Sequence, residues 1–174
     1  RSPLYVLCKG VDLTELPGIG PQSALTLISE IGLDLGRWPT EQHFTAWLTL
    51  SPNPRRSGNK LLSSRTQPSA NRAARTFRMA ALSLSRTDHA LAAFYRRLAV
   101  RIGKAKAITA TARKLAVLLY QVLRQRFPYR EHTQADYDQR QRARVLRSLR
   151  KRAHALGFEL VDRTADLYPQ PGVS

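Results

Sequence analysis

Acidic residues are scarce in the middle of this chain. Between Gln42 and Arg130 the only one is Asp88, while the same stretch carries eighteen Lys or Arg. Ordinary solvated helices interleave both signs, so a one-sign region of this length excludes a bland surface and points to a polyanionic partner. Cysteine is nearly absent. Cys8 alone rules out an internal disulfide and suits a reducing compartment, and its simplest role is that of a small buried apolar residue. The four histidines (His43, His89, His132, His154) are scattered and form no metal-ligand spacing. No apolar run reaches transmembrane length and no signal peptide is seen, so membrane insertion is not expected and the cytoplasm is the expected compartment.

What is present fits a helical, basic domain. The 174 residues are 43% hydrophobic and carry a net charge of +17. That length supports one core, or one core with a mobile tail. A domain this basic repels itself until a polyanion neutralises it, which makes nucleic acid the default partner. An anionic membrane would call instead for a basic amphipathic helix with a bulky apolar face and a lipid anchor, and no lipidation motif is visible. The chain begins at Arg1 rather than Met, which reads as a fragment of a larger or disrupted frame.

The expected fold is all-α. Residues 1–15 read as a lead-in, 16–130 as a compact helical domain and 131–174 as a basic helical tail with a frayed end. In LPGIGPQSALTLISEIG (16–32), Gly18 and Gly20 give a tight turn and Pro21 suits the first helical position. Leu25, Ile28 and Ile31 recur at helical spacing, and Gly32 ends the helix. A short helix is expected from Thr40, its cap, to Leu48, with Phe44, Trp47 and Leu48 buried. Prolines 52, 54 and 68 mark a loop over 51–68, long enough to suggest a function. Longer helices are expected from Ser69 to about Ser85, Asp88 to about Gly103 and Lys106 to about Arg126, the last ended by Pro128. A final helix, Gln134 to Leu156, is rich in arginine and has a thin apolar stripe of Val145, Leu149 and Leu156.

Two segments carry chemistry. Leu16-Pro17-Gly18-Ile19-Gly20 resembles the hairpin of helix-hairpin-helix modules. Its glycines let the backbone approach a phosphate, its amides point outward at a helix start, and Ile19 plugs the turn into the core. Such a contact holds backbone phosphate without sequence preference. No Lys or Arg lies within Leu16–Gly32, so any grip there rests on amides, and a plain helix-starting turn would look similar. The second segment is Arg55-Arg56-Ser57-Gly58-Asn59-Lys60. A serine nucleophile for phosphoryl transfer needs an exposed hydroxyl, a flexible neighbour and cations. Ser57 has Gly58 beside it and Arg55, Arg56 and Lys60 around it, with Arg65, Arg72 and Arg75 as further phosphate clamps. No His or Asp sits nearby as a base. By residues alone, the favoured reading is a polar loop serine whose basic neighbours touch backbone phosphate.

A resemblance to a known family spans about residues 11–160. It rests on DLTELPGIGPQSALTLISEIGLDLGRWPTEQHF (12–44), SGNKLLSSRTQPSANRAA (57–74), AFYRRL (93–98), KAITATARKLAVLLYQVLR (106–124) and VLRSLRKRAHALGFEL (145–160). These segments resemble the C-terminal region of the bacterial insertion-sequence transposases with an N-terminal DEDD nuclease-like domain, relatives of the pilin-gene inverting recombinases. The resemblance implies DNA transposition by a serine that links covalently to DNA, and that nucleophile maps onto Ser57. It also implies a separate resolvase-like domain whose four acids bind a divalent metal such as Mg, a homo-oligomeric assembly and, in some members, an element-encoded guide RNA. The family commonly has a second glycine where this chain has Asn59, and a basic residue near Gln67 and Pro68. The acid-poor stretch cannot build a carboxylate cluster, so activity is not expected without the DEDD domain. The alternatives are a truncated, non-catalytic nucleic-acid-binding module and a structural protein whose basic helices pair with an acidic partner.

Overall fold

The computed structural model describes residues 5, 8, 10–63, 66–68, 70–125 and 133–161. The expectations for Arg65, for a cap at Ser69, for a stop at Pro128 and for the end from Asp162 lie outside the described residues. The chain divides into two units, Arg1–Gln134 and Ala135–Ser174. The first unit opens with a 3₁₀ turn, Leu13–Glu15, followed by α1 (Pro21–Ile31) and α2 (Glu41–Trp47). Strands β1 (Arg55–Ser57) and β2 (Lys60–Ser63) come next, then α3 (Arg72–Leu84), α4 (Ala90–Ile102) and α5 (Lys104–Gln125). The second unit contains nearly all of α6, Gln134–Ala155.

Local chemistry sets the helix ends. Thr40 caps α2 by accepting from the amide of His43. Asn71 caps α3 by accepting from Ala74 at 3.1 Å, two residues after the serine expected in that role. His89 Nδ1 accepts from the Leu91 amide at 3.0 Å and starts α4. The expected buried face of α1 needs one correction. Ala24, Leu27 and Ile31 are buried, Ile28 is packed against them and Leu25 is 47% exposed. Helical spacing fits either phase here, and the small Ala24 allows the closer approach.

Helix α5 is the centre of the first unit, with α2, α3 and α4 packed around it and α1 laid on α3. Alanines make the close contacts possible. Helix α3 buries Ala73, Ala74, Ala80 and Ala81 around Phe77, and α5 buries Ala107, Ala112 and Ala116 beside Leu115 and Leu119. Each fully buried large apolar side chain contributes about 1.5–3 kcal/mol. An aromatic cluster fastens α2 to the far end of α5. Trp38 meets Phe44 edge-on at 5.1 Å, Phe44 lies 5.6 Å from Tyr120, and the Tyr120 hydroxyl donates to the Trp38 carbonyl at 2.8 Å. Cys8 is buried in this core, as its apolar reading requires. Burial pushes its thiol pKa up, and the nearby charge of Asp12 adds to the shift.

Candidate nucleic-acid interface

The hairpin segment 16–20 sits where α1 begins and α3 ends. Leu16 and Ile19 are buried, so Ile19 plugs the turn as expected. Gly18 has φ +73°, and a Cβ there would lie 2.8 Å from the Ala80 carbonyl oxygen and 2.9 Å from Leu84 Cγ. The glycine is therefore required by the backbone of α3 at its back, a role the sequence did not disclose. At the other end of α1, Glu30 pairs with Arg72 at 3.3 Å, so α1 and α3 run antiparallel. Gly20 is exposed, caps α1 with no side-chain bond, and has nothing within 4 Å of a built Cβ. The Ile19 amide is used internally, donating to the Leu16 carbonyl at 3.1 Å. Among the described residues no hydrogen bond takes the amides of Gly18 or Gly20.

The basic loop leaves α2 from a pinned start. Thr49, at φ 55°, turns the chain, the Leu50 amide donates to the Thr45 carbonyl at 3.0 Å, and the Thr45 and Ser51 hydroxyls lie 2.9 Å apart. Leu48 and Leu50 are buried, and residues 52–54 then turn outward into solvent. The segment 51–68, expected as a loop without regular structure, contains an antiparallel hairpin. Ser57 pairs across it with Lys60, and Arg56 with Leu61. Gly58 takes φ +55° at the first turn position, as a II′ turn demands. A bulge follows, because Arg55 pairs with Ser63 and leaves Leu62 without an opposite residue.

Ser57, Gly58, Asn59 and Lys60 are all exposed. Directly paired residues project from the same face of a ladder, so the Ser57 hydroxyl and the Lys60 ammonium share a face. Arg55 and Arg56 occupy β1. Arg75 is exposed on α3, one turn from Arg72, whose side chain is 70% exposed and whose guanidinium engages Glu30. The structure thus brings Ser57 and Lys60 together and gives Arg72 an acidic partner. Between the two partners lie α2, β1 and β2, so no local spacing signals the pair. Sequence reasoning also missed Arg37, whose guanidinium lies 4.6 Å from the Trp38 ring centre and 5.6 Å from that of Trp47.

Among the described residues no three His, Cys, Asp or Glu side chains converge to hold a metal, and no helix is long and apolar enough to cross a membrane. No curated protein matches the chain. The pattern of the Transposase IS116/IS110/IS902 family matches residues 12–96, from the cap of the 3₁₀ turn to Arg96 in α4. That span takes in both the 16–20 hairpin and Ser57, and leaves α5 and α6 outside it. Residues 12–96 of this chain are a Transposase IS116/IS110/IS902 family domain.

Proposed function

We propose that this domain serves DNA transposition as a DNA-contacting unit that supplies the nucleophile, Ser57 Oγ. The domain itself implies a role in DNA transposition and contact with DNA. The observation that carries the finer reading is the tip of the β1–β2 hairpin. There a serine is exposed, followed by a glycine with positive φ and paired across the ladder with a lysine, in an acid-poor stretch. A hydroxyl buried in apolar packing could not meet a duplex, and this one is open to solvent.

In the proposed step Ser57 Oγ attacks a phosphodiester phosphorus. A P–O bond to serine forms and the P–O bond to one deoxyribose breaks. The serine proton leaves to solvent, and the departing sugar oxygen takes one up. The count of P–O bonds is conserved, so the linkage can be reversed onto a new strand end. Lys60 is placed to balance negative charge gathering on the non-bridging oxygens, and Arg55, Arg56 and Arg65 supply further cations from the same segment. Gly18 and Gly20 contribute amides, and Arg72 and Arg75 add charge along α3. In this proposal a divalent metal belongs to a separate acidic domain, and joining two DNA ends calls for at least two copies of the protein.

The test compares wild type with Ser57→Ala in a strand-joining assay that also supplies the acidic nuclease-like domain. Lost recombination with duplex binding intact is the expected result. Unchanged recombination sinks the serine assignment, and binding without recombination in wild type favours the non-catalytic module.

A further inference from the structure

Helix α6 (Gln134–Ala155) buries none of its residues, and from Gln139 to Ala155 it contains no acid. Its two acids within the helix, Asp136 and Asp138, stand in the first turns, where the helix dipole favours them. Beyond that point the basic residues are not spread evenly. Arg140, Arg144, Arg147 and Lys151 follow the i, i+4, i+7, i+11 pattern, which puts them within about 60° of one another around the axis. All four are exposed. Neighbours along this row repel one another, so an isolated α6 gains nothing from the arrangement. Asp136 lies one turn ahead of Arg140 on the same side and bounds the row.

We propose that this row is a binding site for a phosphodiester backbone. At 1.5 Å per residue it is about 16 Å long, and a duplex presents one phosphate per strand every ~3.4 Å of its axis. Four cations therefore run beside about five phosphates of one strand. The contact is to backbone, carries no base readout, and stands independently of Ser57. A lipid surface is disfavoured by the opposite side of the helix. Val145, Leu146 and Leu149 give only a short apolar stripe there, and Arg142 projects among them. The glutamine and alanine content of α6 lets the row be altered without breaking the helix.

The test measures binding of the full 174-residue chain to a fluorescent mixed-sequence duplex by anisotropy, across about 50–200 mM salt. Two variants remove the same charge: Arg140, Arg144 and Arg147 to Gln on the row, and Arg142, Arg150 and Arg152 to Gln off it. The row variant is expected to flatten the log–log salt slope by about 2.7, which shrinks the affinity change over that range about 40-fold. The off-row variant should change the slope by less than about 1, and Arg→Lys across the row should leave it as in wild type. Duplex DNA and duplex RNA are run in parallel, and a slope loss with either supports the proposal and identifies the source of the phosphate. Equal losses from the two glutamine variants would show diffuse charge and overturn it. So would an unchanged slope in the row variant, or its losing binding to phosphatidylserine vesicles while keeping the duplex. Ser57→Ala leaves all these readings unaltered, so failure here is separable from failure of the serine mechanism.

Discussion

Replacing Gly18 with alanine separates two roles that one glycine could play. A phosphate-gripping turn needs glycine because the ligand comes close, whereas the structure places α3 at the position a side chain would occupy. The new Cβ would sit 2.8 Å from the Ala80 carbonyl oxygen, a backbone atom that cannot swing aside, and 2.9 Å from Leu84 Cγ. Forcing such an overlap costs about 1–3 kcal/mol, and holding alanine at φ +73° adds about 1–2 kcal/mol. The sum, about 2–5 kcal/mol, is a large share of a typical 5–15 kcal/mol stability. At roughly 2–4 °C per kcal/mol, Tm should fall by about 4–20 °C in a thermal melt. Gly20→Ala is the internal comparison, because that site has an ordinary φ of −81° and open space around it. Its Tm should stay within about 4 °C of wild type, as a weaker cap is offset by a stiffer unfolded chain. Equal melting of Gly18→Ala and wild type would refute the close approach of the turn to α3.

Three further expectations follow from single contacts. Gly20→Pro removes one amide at a compatible φ, so a weaker hold on duplex DNA with little change in Tm is the outcome if that amide meets phosphate. Asp12 caps the 3₁₀ turn, and its carboxyl is held below the usual range chiefly by the Thr14 hydroxyl at 2.6 Å and then by the Thr14 amide at 2.9 Å. Because the folded value is depressed, the stability from the ionised form is full above the unfolded value of about 3.9 and is lost as pH falls through the folded value. Urea denaturation of Asp12→Ala should show a deficit of about 1 kcal/mol at neutral pH that shrinks in acid, and a pH-independent deficit would contradict the cap. Tyr120→Phe removes the bond to the Trp38 carbonyl and should cost about 0.5–1.5 kcal/mol in the same assay, with the aromatic packing kept.

Much of the helical frame was legible because its signals are local. Pro21 opens α1, Thr40 caps α2, and Gly103 ends α4, each readable from residue type and neighbours. The site was legible in a different sense. Residue chemistry and the family resemblance pointed to Ser57, and the structure adds that it is exposed beside Lys60. The hairpin around it was missed although Gly58-Asn59 is a recognised two-residue turn signal. Strands of three and four residues, set among prolines and arginines, show no hydrophobic alternation to support it. The phase of α1 was misjudged at Leu25 because spacing alone does not say which neighbour is small enough to face another helix. The contact of Gly18 with α3 and the pairing of Glu30 with Arg72 join elements distant in the chain, and nothing in either segment announces the other.

The covalent link is the claim on which the function depends. The decisive measurement is peptide mass spectrometry of the protein after reaction with duplex DNA in the presence of the acidic nuclease-like domain. A nucleotide mass on the peptide containing Ser57, absent in Ser57→Ala, is the expected result. A nucleotide mass on any other residue, or its persistence in Ser57→Ala, would contradict the account.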